Sequence, residues 1–430
     1  MLIVLGISFI LLLIIGFPFA FAIGMSSFLA LLFEPSLPMI IIPQRMFVQI
    51  DSFPLMAIPF FILAGEIMER AGISARLVRF ADSIVGHIYG GLGMAAITSS
   101  MIFAGMSGSS AADASATGSI TIPAMIRNGY PRGLAASIES VASSVGPIIP
   151  PSSLMIIYAA ITGVSTGKMF MGGIIPGILI GLCAMVVTYF YAKRLELTGT
   201  RREGFSSTIR LIFTTAREAF WALLTPIIII GGIISGIFTA TEAGVVAVLY
   251  SWVIGVFVYK TISIRESRAI LLRATNITCM VTLIVAFAAI LGWLLSYVEF
   301  PHYVSKLLTG LSTDPNIILA IVICFLLLVG TLVEVVAAAI ILIPVLFPLG
   351  DLFHFNEIHY AVIIVITLAM GCITPPVGIL LFITTGIAKT SLVETVKYIW
   401  PYLIIVFGMI LICAFFPSLI TFIPDLFWHQ

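Results

Sequence analysis

The sequence predicts an all-α polytopic membrane protein made of two inverted repeats, with about ten transmembrane helices and two re-entrant helical hairpins. Three observations carry this prediction: an extreme apolar composition, a one-sided placement of the cations, and a weak internal repeat. Of 430 residues, 61% are hydrophobic and 9% charged, against roughly a quarter charged in soluble domains. The apolar runs are too many for one cleavable leader or a single anchor, so nearly the whole chain is membrane domain. With 20 Lys+Arg against 19 Asp+Glu the net charge is +1, and no basic patch points to nucleic acid. Cys183, Cys279, Cys324, Cys372 and Cys413 each stand alone in an apolar run, without CxxC or metal spacing, and read as packing residues.

Apolar runs of about 17 to 25 residues can cross a bilayer as helices. The first, 2–33, is interrupted at Gly16-Phe17-Pro18 and reads as two short crossings or one long broken one. A crossing at 54–71 follows and completes the scaffold part of the first repeat, 1–71. The connector 73–88 places Ile73, Leu77, Phe80, Ile84 and Ile88 at helical spacing, with Arg76, Arg79 and Asp82 between them. Residues 89–127 fit a helix down, a polar tip and a helix back. A broken helix at 132–162 and a helix at 169–192 close the first repeat, 1–192. Residues 193–220 form a basic cytoplasmic connector. The second repeat, 221–430, runs in the same order: scaffold helices within 221–298 (crossings 221–238, 242–260 and 278–298), a connector 301–313, a hairpin 316–350, a broken helix 357–386 and a final helix 397–420.

Lys and Arg are retained on the cytoplasmic side during insertion. With the 193–217 loop inside, every Lys and Arg falls inside except Arg45, Lys168 and Lys306. If either hairpin were a single crossing, all later loops would change sides and this asymmetry would dissolve. The first hairpin therefore enters from the cytoplasm and the second from outside, with an odd number of crossings between them.

The repeat falls where that topology wants it. Gly146-Pro147-Ile148-Ile149-Pro150-Pro151 aligns with Gly371-Cys372-Ile373-Thr374-Pro375-Pro376 at an offset of 225, and Pro176 meets Pro401 at the same offset. The hairpins align at an offset of 221, pairing Asp113 with Glu334, Ala116 with Ala337 and Pro123 with Pro344. Inverted repeats with interrupted helices are a recurring plan of secondary transporters.

Backbone that stops being helical at membrane depth must be buried in protein or face a watered cavity. Four places qualify: the tips Gly105–Asp113 and Gly330–Glu334, and the two G-x-I-x-P-P interruptions. A Pro-Pro pair removes N–H donors and frees carbonyl oxygens, which suit a hard cation such as sodium. The first tip is crowded with Ser107, Ser109 and Ser110, and Ser152 and Ser153 follow the first Pro-Pro pair. Small residues also let helices pack closely, so most of these serines have a structural reading beside the functional one. Asp113 and Glu334 stand out because an ionisable group at membrane depth is costly; capping of the returning helices is the structural alternative. Glu66, Glu139 and Glu242 are weaker candidates.

Enzyme signatures are absent. Gly163-Val164-Ser165-Thr166-Gly167-Lys168 is one residue short of a Walker A loop and is followed by Met169. Gly105-Met106-Ser107-Gly108-Ser109 lacks the second glycine of a nucleophile elbow. His87, His302, His354, His359 and His429 fall in predicted loops or connectors. Energy must then come from an ion gradient or another subunit: two cations falling through 100 mV supply roughly 4.6 kcal/mol, about a thousandfold accumulation of a neutral solute.

The run Asp51-Ser-Phe-Pro-Leu-Met-Ala-Ile-Pro-Phe-Phe-Ile-Leu-Ala-Gly65-Glu66, the Gly-Met-Ser-Gly-Ser tip and the G-P-I-I-P-P-S153 segment together resemble the large membrane (M) subunit of tripartite ATP-independent periplasmic (TRAP) transporters, over essentially the whole chain. The resemblance implies a bacterial inner-membrane protein with the elevator architecture of the ion-transporter superfamily, in which a mobile domain carrying both hairpins slides against a fixed scaffold. It implies sodium-driven uptake of a small organic acid, a four-carbon dicarboxylate or a sialic-acid type, delivered by a periplasmic (P type) substrate-binding protein. It also implies a small four-helix (Q type) membrane subunit, expected as a separate chain because this sequence begins with the large subunit's first span. Carried onto this chain, one sodium site uses Ser107, Ser109 and Ser110 with Gly146 and Pro150, and the other Gly330 and Thr331 with Gly371 and Thr374. Substrate would touch Ser107, Gly108, Ser109, Ser152, Ser153 and Pro376, with Asp113 and Glu334 as supporting acids.

Two other readings stand beside this one. A binding-protein-independent sodium/dicarboxylate symporter would share the architecture, and an intramembrane enzyme would use Asp113 or Glu334 as acid or base.

Overall fold

The computed structural model describes every residue except 35, 200–204 and 428–430, and all regular structure among the described residues is helical. Arg201 and Arg202 of the expected basic connector, and His429, lie outside the described residues.

The chain opens with α1 (Leu2–Ile14) and α2 (Phe19–Leu32), parted at Gly16-Phe17-Pro18, where Gly16 takes φ +89°. The two pack against each other, so residues 2–33 fold back as two short helices. α3 (Ile41–Ile50) was not expected. It bends by 64° into a 3-10 turn at Pro54–Met56 and α4 (Ala57–Arg70). α5 (Ile73–Val85) fills the first connector and buries Ile73, Leu77 and Val78 against its neighbours. The first hairpin is α6 (Gly91–Ser107), α7 (Ser110–Ala116) and α8 (Gly118–Arg127), its returning limb divided at Thr117. α9 (Arg132–Ser144) and α10 (Ser153–Thr162) are the limbs of the first broken helix, and α11 (Thr166–Arg194) follows.

α12 (Phe205–Ile234) corrects the expected 193–220 connector, which is helical from residue 205 onward and carries Arg210 and Arg217 on the helix. α13 (Ala240–Val253) runs into a π-helical turn at Ile254–Val258. α14 (Ile264–Tyr297) begins well before the expected residue 278. Its start is set by a capping box, the Ser263 N–H donating to Glu266 at 2.9 Å and the Glu266 N–H to the Ser263 hydroxyl at 3.2 Å. α15 (Phe300–Leu311) fills the second connector. α16 (Pro315–Leu332) and α17 (Val335–Leu352) form the second hairpin segment, and α18 (Glu357–Gly371) and α19 (Ile379–Ala388) the second broken helix. α20 (Leu392–Phe415) ends earlier than the expected residue 420, because Pro417 separates it from α21 (Ser418–Phe427).

Seven of the described helices are long and apolar enough to cross a bilayer: α11, α12, α13 with its π turn, α14, α16, α17 and α20. The other expected crossings are built from shorter helices. Large apolar side chains cover the outside, Ile3, Phe47, Phe213 and Ile264 among them, as suits a surface facing lipid or other protein.

The helices pack as two groups. α2, α3 and α4 gather around α14, with α13 packed on α4, while the hairpins and broken helices interlock with one another. α16 lies on α18, α10 on α17, and α9 on both α19 and α20. α9 is also tied to the second half by hydrogen bonds. Arg132 donates to the carbonyls of Ala388 (3.0 Å) and Lys389 (3.2 Å), Ser137 to that of Thr395 (3.0 Å), and the hydroxyls of Ser140 and Thr384 are 2.6 Å apart. α4 and α14 supply the facing wall: α4 touches α6 and α10, and α14 touches α17.

Candidate functional site

Each tip rests on the break of the broken helix that follows it in sequence. At the first, Gly108 ends α6 with φ +59°, and a Cβ there would lie 2.4 Å from the Pro151 carbonyl oxygen. Only glycine permits both the backbone conformation and the approach. The Gly108 carbonyl accepts from the Ser153 hydroxyl at 2.9 Å and from its N–H at 3.4 Å, and Gly146 lies against the backbone of Ser109 and Ser110. At the second, Gly330 and Gly371 meet backbone to backbone: a Cβ on Gly371 would stand 2.6 Å from the Gly330 Cα. The Gly378 N–H donates to the Thr331 carbonyl at 3.1 Å.

The breaks themselves are partly self-satisfied. The Ser152 hydroxyl donates to Pro147 O at 2.5 Å and accepts from the Met155 N–H at 3.1 Å, capping α10. The Thr374 hydroxyl donates to Met370 O at 3.1 Å, and that of Thr331 to Leu328 O at 2.7 Å. The carbonyl oxygens of Gly146, Pro150 and Thr374 accept no hydrogen bond from the described residues. Those oxygens are what a hard cation requires.

Both tips line one cavity of about 180 Å³: Ser107, Ser109 and Ala112 from the first, Glu334 and Val336 from the second, with Ser153 of α10 beside them. Gly65, Glu66 and Glu69 of α4 and Ile277 and Val281 of α14 form its other side. The structure thus gathers Ser107, Ser109, Ser153 and Glu334. Gly330, Gly371, Thr374 and Pro376 are not among its lining residues; Gly330 and Gly371 meet at the second contact, and Pro376 is exposed. Glu69 was missed; the only sequence signal was its helical spacing from Gly65 and Glu66 on one face of α4.

The two supporting acids occupy different positions. Glu334 is the N-cap of α17, its Oε2 accepting from the Ala337 N–H at 2.9 Å. The N-cap of α7 is Ser109, so the helix ends align Glu334 with Ser109 rather than with Asp113. Asp113 lies inside α7, fully buried, and joins a polar cluster. The Thr117 hydroxyl is 3.1 Å from Asp113 Oδ1 and 2.5 Å from Glu139 Oε1, the Thr121 hydroxyl donates to Glu139 Oε2 at 2.6 Å, and the Ser100 hydroxyl is 3.1 Å from that of Thr117. The histidine reading also needs correction. His359 is buried in α18, 3.0 Å from the Cys413 carbonyl of α20, and is not a loop residue.

Comparison with known proteins follows the same lines. Residues 6–419 match the family described as "Tripartite ATP-independent periplasmic transporter, DctM component". The chain is 38% identical over 381 residues to the C4-dicarboxylate TRAP transporter large permease protein of Pseudomonas aeruginosa, covering 89% of this chain and 88% of that one. It is 37% identical over 414 residues to the isethionate TRAP transporter permease of Oleidesulfovibrio alaskensis; this is 96% of the present chain but only 65% of that longer protein. The crystal structure of the Alcanivorax borkumensis YdaH transporter shares the fold, with a TM-score of 0.56 at 14% identity over 83% of this chain and 84% of that one. These relatives are named as transporters and permeases, not as enzymes. On the family match and these identities, the chain belongs to the tripartite ATP-independent periplasmic transporter family, as a large permease of the DctM type.

Proposed function

We propose that this chain carries a small organic acid across the bacterial inner membrane, coupled to sodium, by an elevator movement of both hairpins against the α4 and α14 wall. The observation that carries the reading is the single cavity lined by both tips. It lies at the contact between the two helix groups, where a sliding body would present its cargo. The sodium ions would be held by the Ser107–Ser110 tip with Gly146 and Pro150, and by Gly330 and Thr331 with Gly371 and Thr374. The carbonyl oxygens of Gly146, Pro150 and Thr374, free of other donors among the described residues, support that assignment. The two-repeat reading has support in the matching caps. Gly108 and Val333 end the inbound limbs, and Ser109 and Glu334 begin the outbound ones, at the offset of 225 that also relates the Pro-Pro breaks. α16 and α17 are each long enough to cross a bilayer. Their re-entrant reading rests on the cation asymmetry and on the seat of their tip against the break at Gly371.

The cargo class follows from the relatives, whose names give a C4-dicarboxylate and isethionate, both small organic anions. A periplasmic binding protein and a small membrane subunit complete the system in this reading. The test is uptake by the reconstituted complex of this chain, its small subunit and loaded binding protein, with and without an inward sodium gradient. Uptake that persists without sodium refutes the coupling; uptake of free acid without the binding protein selects the binding-protein-independent symporter. Single cysteines at Ser107 and Leu332 should change accessibility in opposite directions when sodium is added, and static labelling at both counts against a moving hairpin body.

A further inference from the structure

Arg45 stands on α3 with no carboxylate in ion-pair distance among the described residues. Its guanidinium lies over the Trp293 ring of α14, 5.2 Å from the centroid. Together they wall a cavity of about 230 Å³ whose other lining residues, Gln49, Gly292, Ser296 and Pro344 among them, are all neutral. The cation–π contact with the indole steadies the guanidinium, and its N–H groups make no hydrogen bond to the described residues. A planar fork of donors pairs best with an oxyanion of carboxylate type. At about 30 Å³ per water in the liquid, the space equals about seven or eight waters, enough for a small acid.

The cavity also leads somewhere. Val285 is shared with a second cavity between α4 and α14, and that cavity shares Ile58 and Val281 with the one at the hairpin tips. Three adjoining spaces therefore run from Arg45 to Ser107, Ser109 and Glu334. Ile161, Ile340 and Pro344 close the first from the hairpin group, while Arg45 and Trp293 belong to the facing helices.

We propose that Arg45 and Trp293 form a reception site that takes a small organic anion by its carboxylate or sulfonate group before it reaches the tips. The proposal rests on the organic-acid reading above, so its test includes a readout independent of transport. A cysteine is placed by Ser296→Cys in the full complex and converted to a mixed disulfide, with release of methanesulfinate, by methanethiosulfonate reagents carrying a sulfonate or a quaternary ammonium, with the unsubstituted chain as background. The ratio of anionic to cationic reaction rates falls about tenfold on adding Arg45→Gln and is kept by Arg45→Lys, as expected for one unit charge a few ångströms away. Succinate protects the cysteine and its diamide does not. In uptake, Arg45→Gln raises the half-saturating concentration about tenfold, with partial recovery by Arg45→Lys. An unchanged reagent ratio overturns the proposal whatever the uptake shows. A charge-dependent ratio with succinate protection, in a complex that fails to transport, refutes the transport reading and leaves the anion site standing.

Discussion

Alanine at Gly371 puts the tip-on-break contact under direct test. The added Cβ would lie 2.6 Å from the Gly330 Cα and 3.0 Å from its carbonyl carbon, and both obstacles are backbone. Carbon atoms rest at about 3.5–4.0 Å, so the second tip must withdraw by about an ångström, with no side-chain rotation to relieve it. That retreat would stretch the 3.1 Å bond from Gly378 N–H to Thr331 O past useful length. Overpacking of this kind costs about 1–3 kcal/mol, and the lost hydrogen bond adds about 1 kcal/mol. The assay is thermal unfolding of the purified complex, followed by tryptophan fluorescence with and without sodium. At sodium tenfold above its dissociation constant, a single site lends the wild type about 1.4 kcal/mol. Gly371→Ala should unfold earlier and lose most of the sodium response that depends on the second tip. Gly408→Ala is the control, since nothing lies within 4 Å of its Cβ in α20; it should leave stability level or raise it by about 0.5–1 kcal/mol. Wild-type stability and sodium response in Gly371→Ala would refute both the close contact and its part in binding.

Other substitutions probe the neighbouring groups. Thr117→Val removes a hydroxyl lying between Asp113 and Glu139 and should cost about 1–3 kcal/mol by thermal unfolding; Thr121→Val, whose hydroxyl reaches Glu139 but not Asp113, should cost less, and equal losses would mean that Thr117 is not shared. Glu334→Gln keeps an acceptor for the α17 cap but removes its charge. Its unfolding midpoint should therefore hold within about 1 kcal/mol while uptake falls; normal uptake kinetics in both Glu334→Gln and Asp113→Asn would free these acids of any transport role. Arg132→Gln releases the carbonyls at the end of α19, with an expected loss of about 1–3 kcal/mol and faster amide exchange at 385–390. Unchanged exchange there would show that the arginine does not hold that end.

The backbone framework of the candidate site could be read from sequence because its parts are local. The Gly-Met-Ser-Gly-Ser tip and the two Pro-Pro breaks announce themselves through residues that cannot continue a helix. Contacts between distant residues could not be read this way. Thr117 and Thr121 lie 22 and 18 positions from Glu139 and meet it only because the returning limb of the first hairpin packs on α9. The offset of 221, which rests on residue identities, pairs Asp113 with Glu334, whereas helix caps, which follow backbone geometry, set Glu334 against Ser109. Hydropathy also hid helices that begin in polar sequence. α3 contains Pro43, Gln44, Arg45 and Gln49, and the early turns of α12 and α14 carry Arg210, Arg217, Arg265 and Arg268. For α14, the Ser263–Glu266 box was a legible signal of the true start.

The stitching of α9 to the ends of α19 and α20 has a consequence for any motion at all. Arg132, Ser137 and Ser140 bind partners more than two hundred positions away, which ties the first broken helix to the second. In the proposed elevator movement the two hairpins would therefore travel as one body, and whatever is loaded at one end of that knot would be carried or refused along with whatever is loaded at the other.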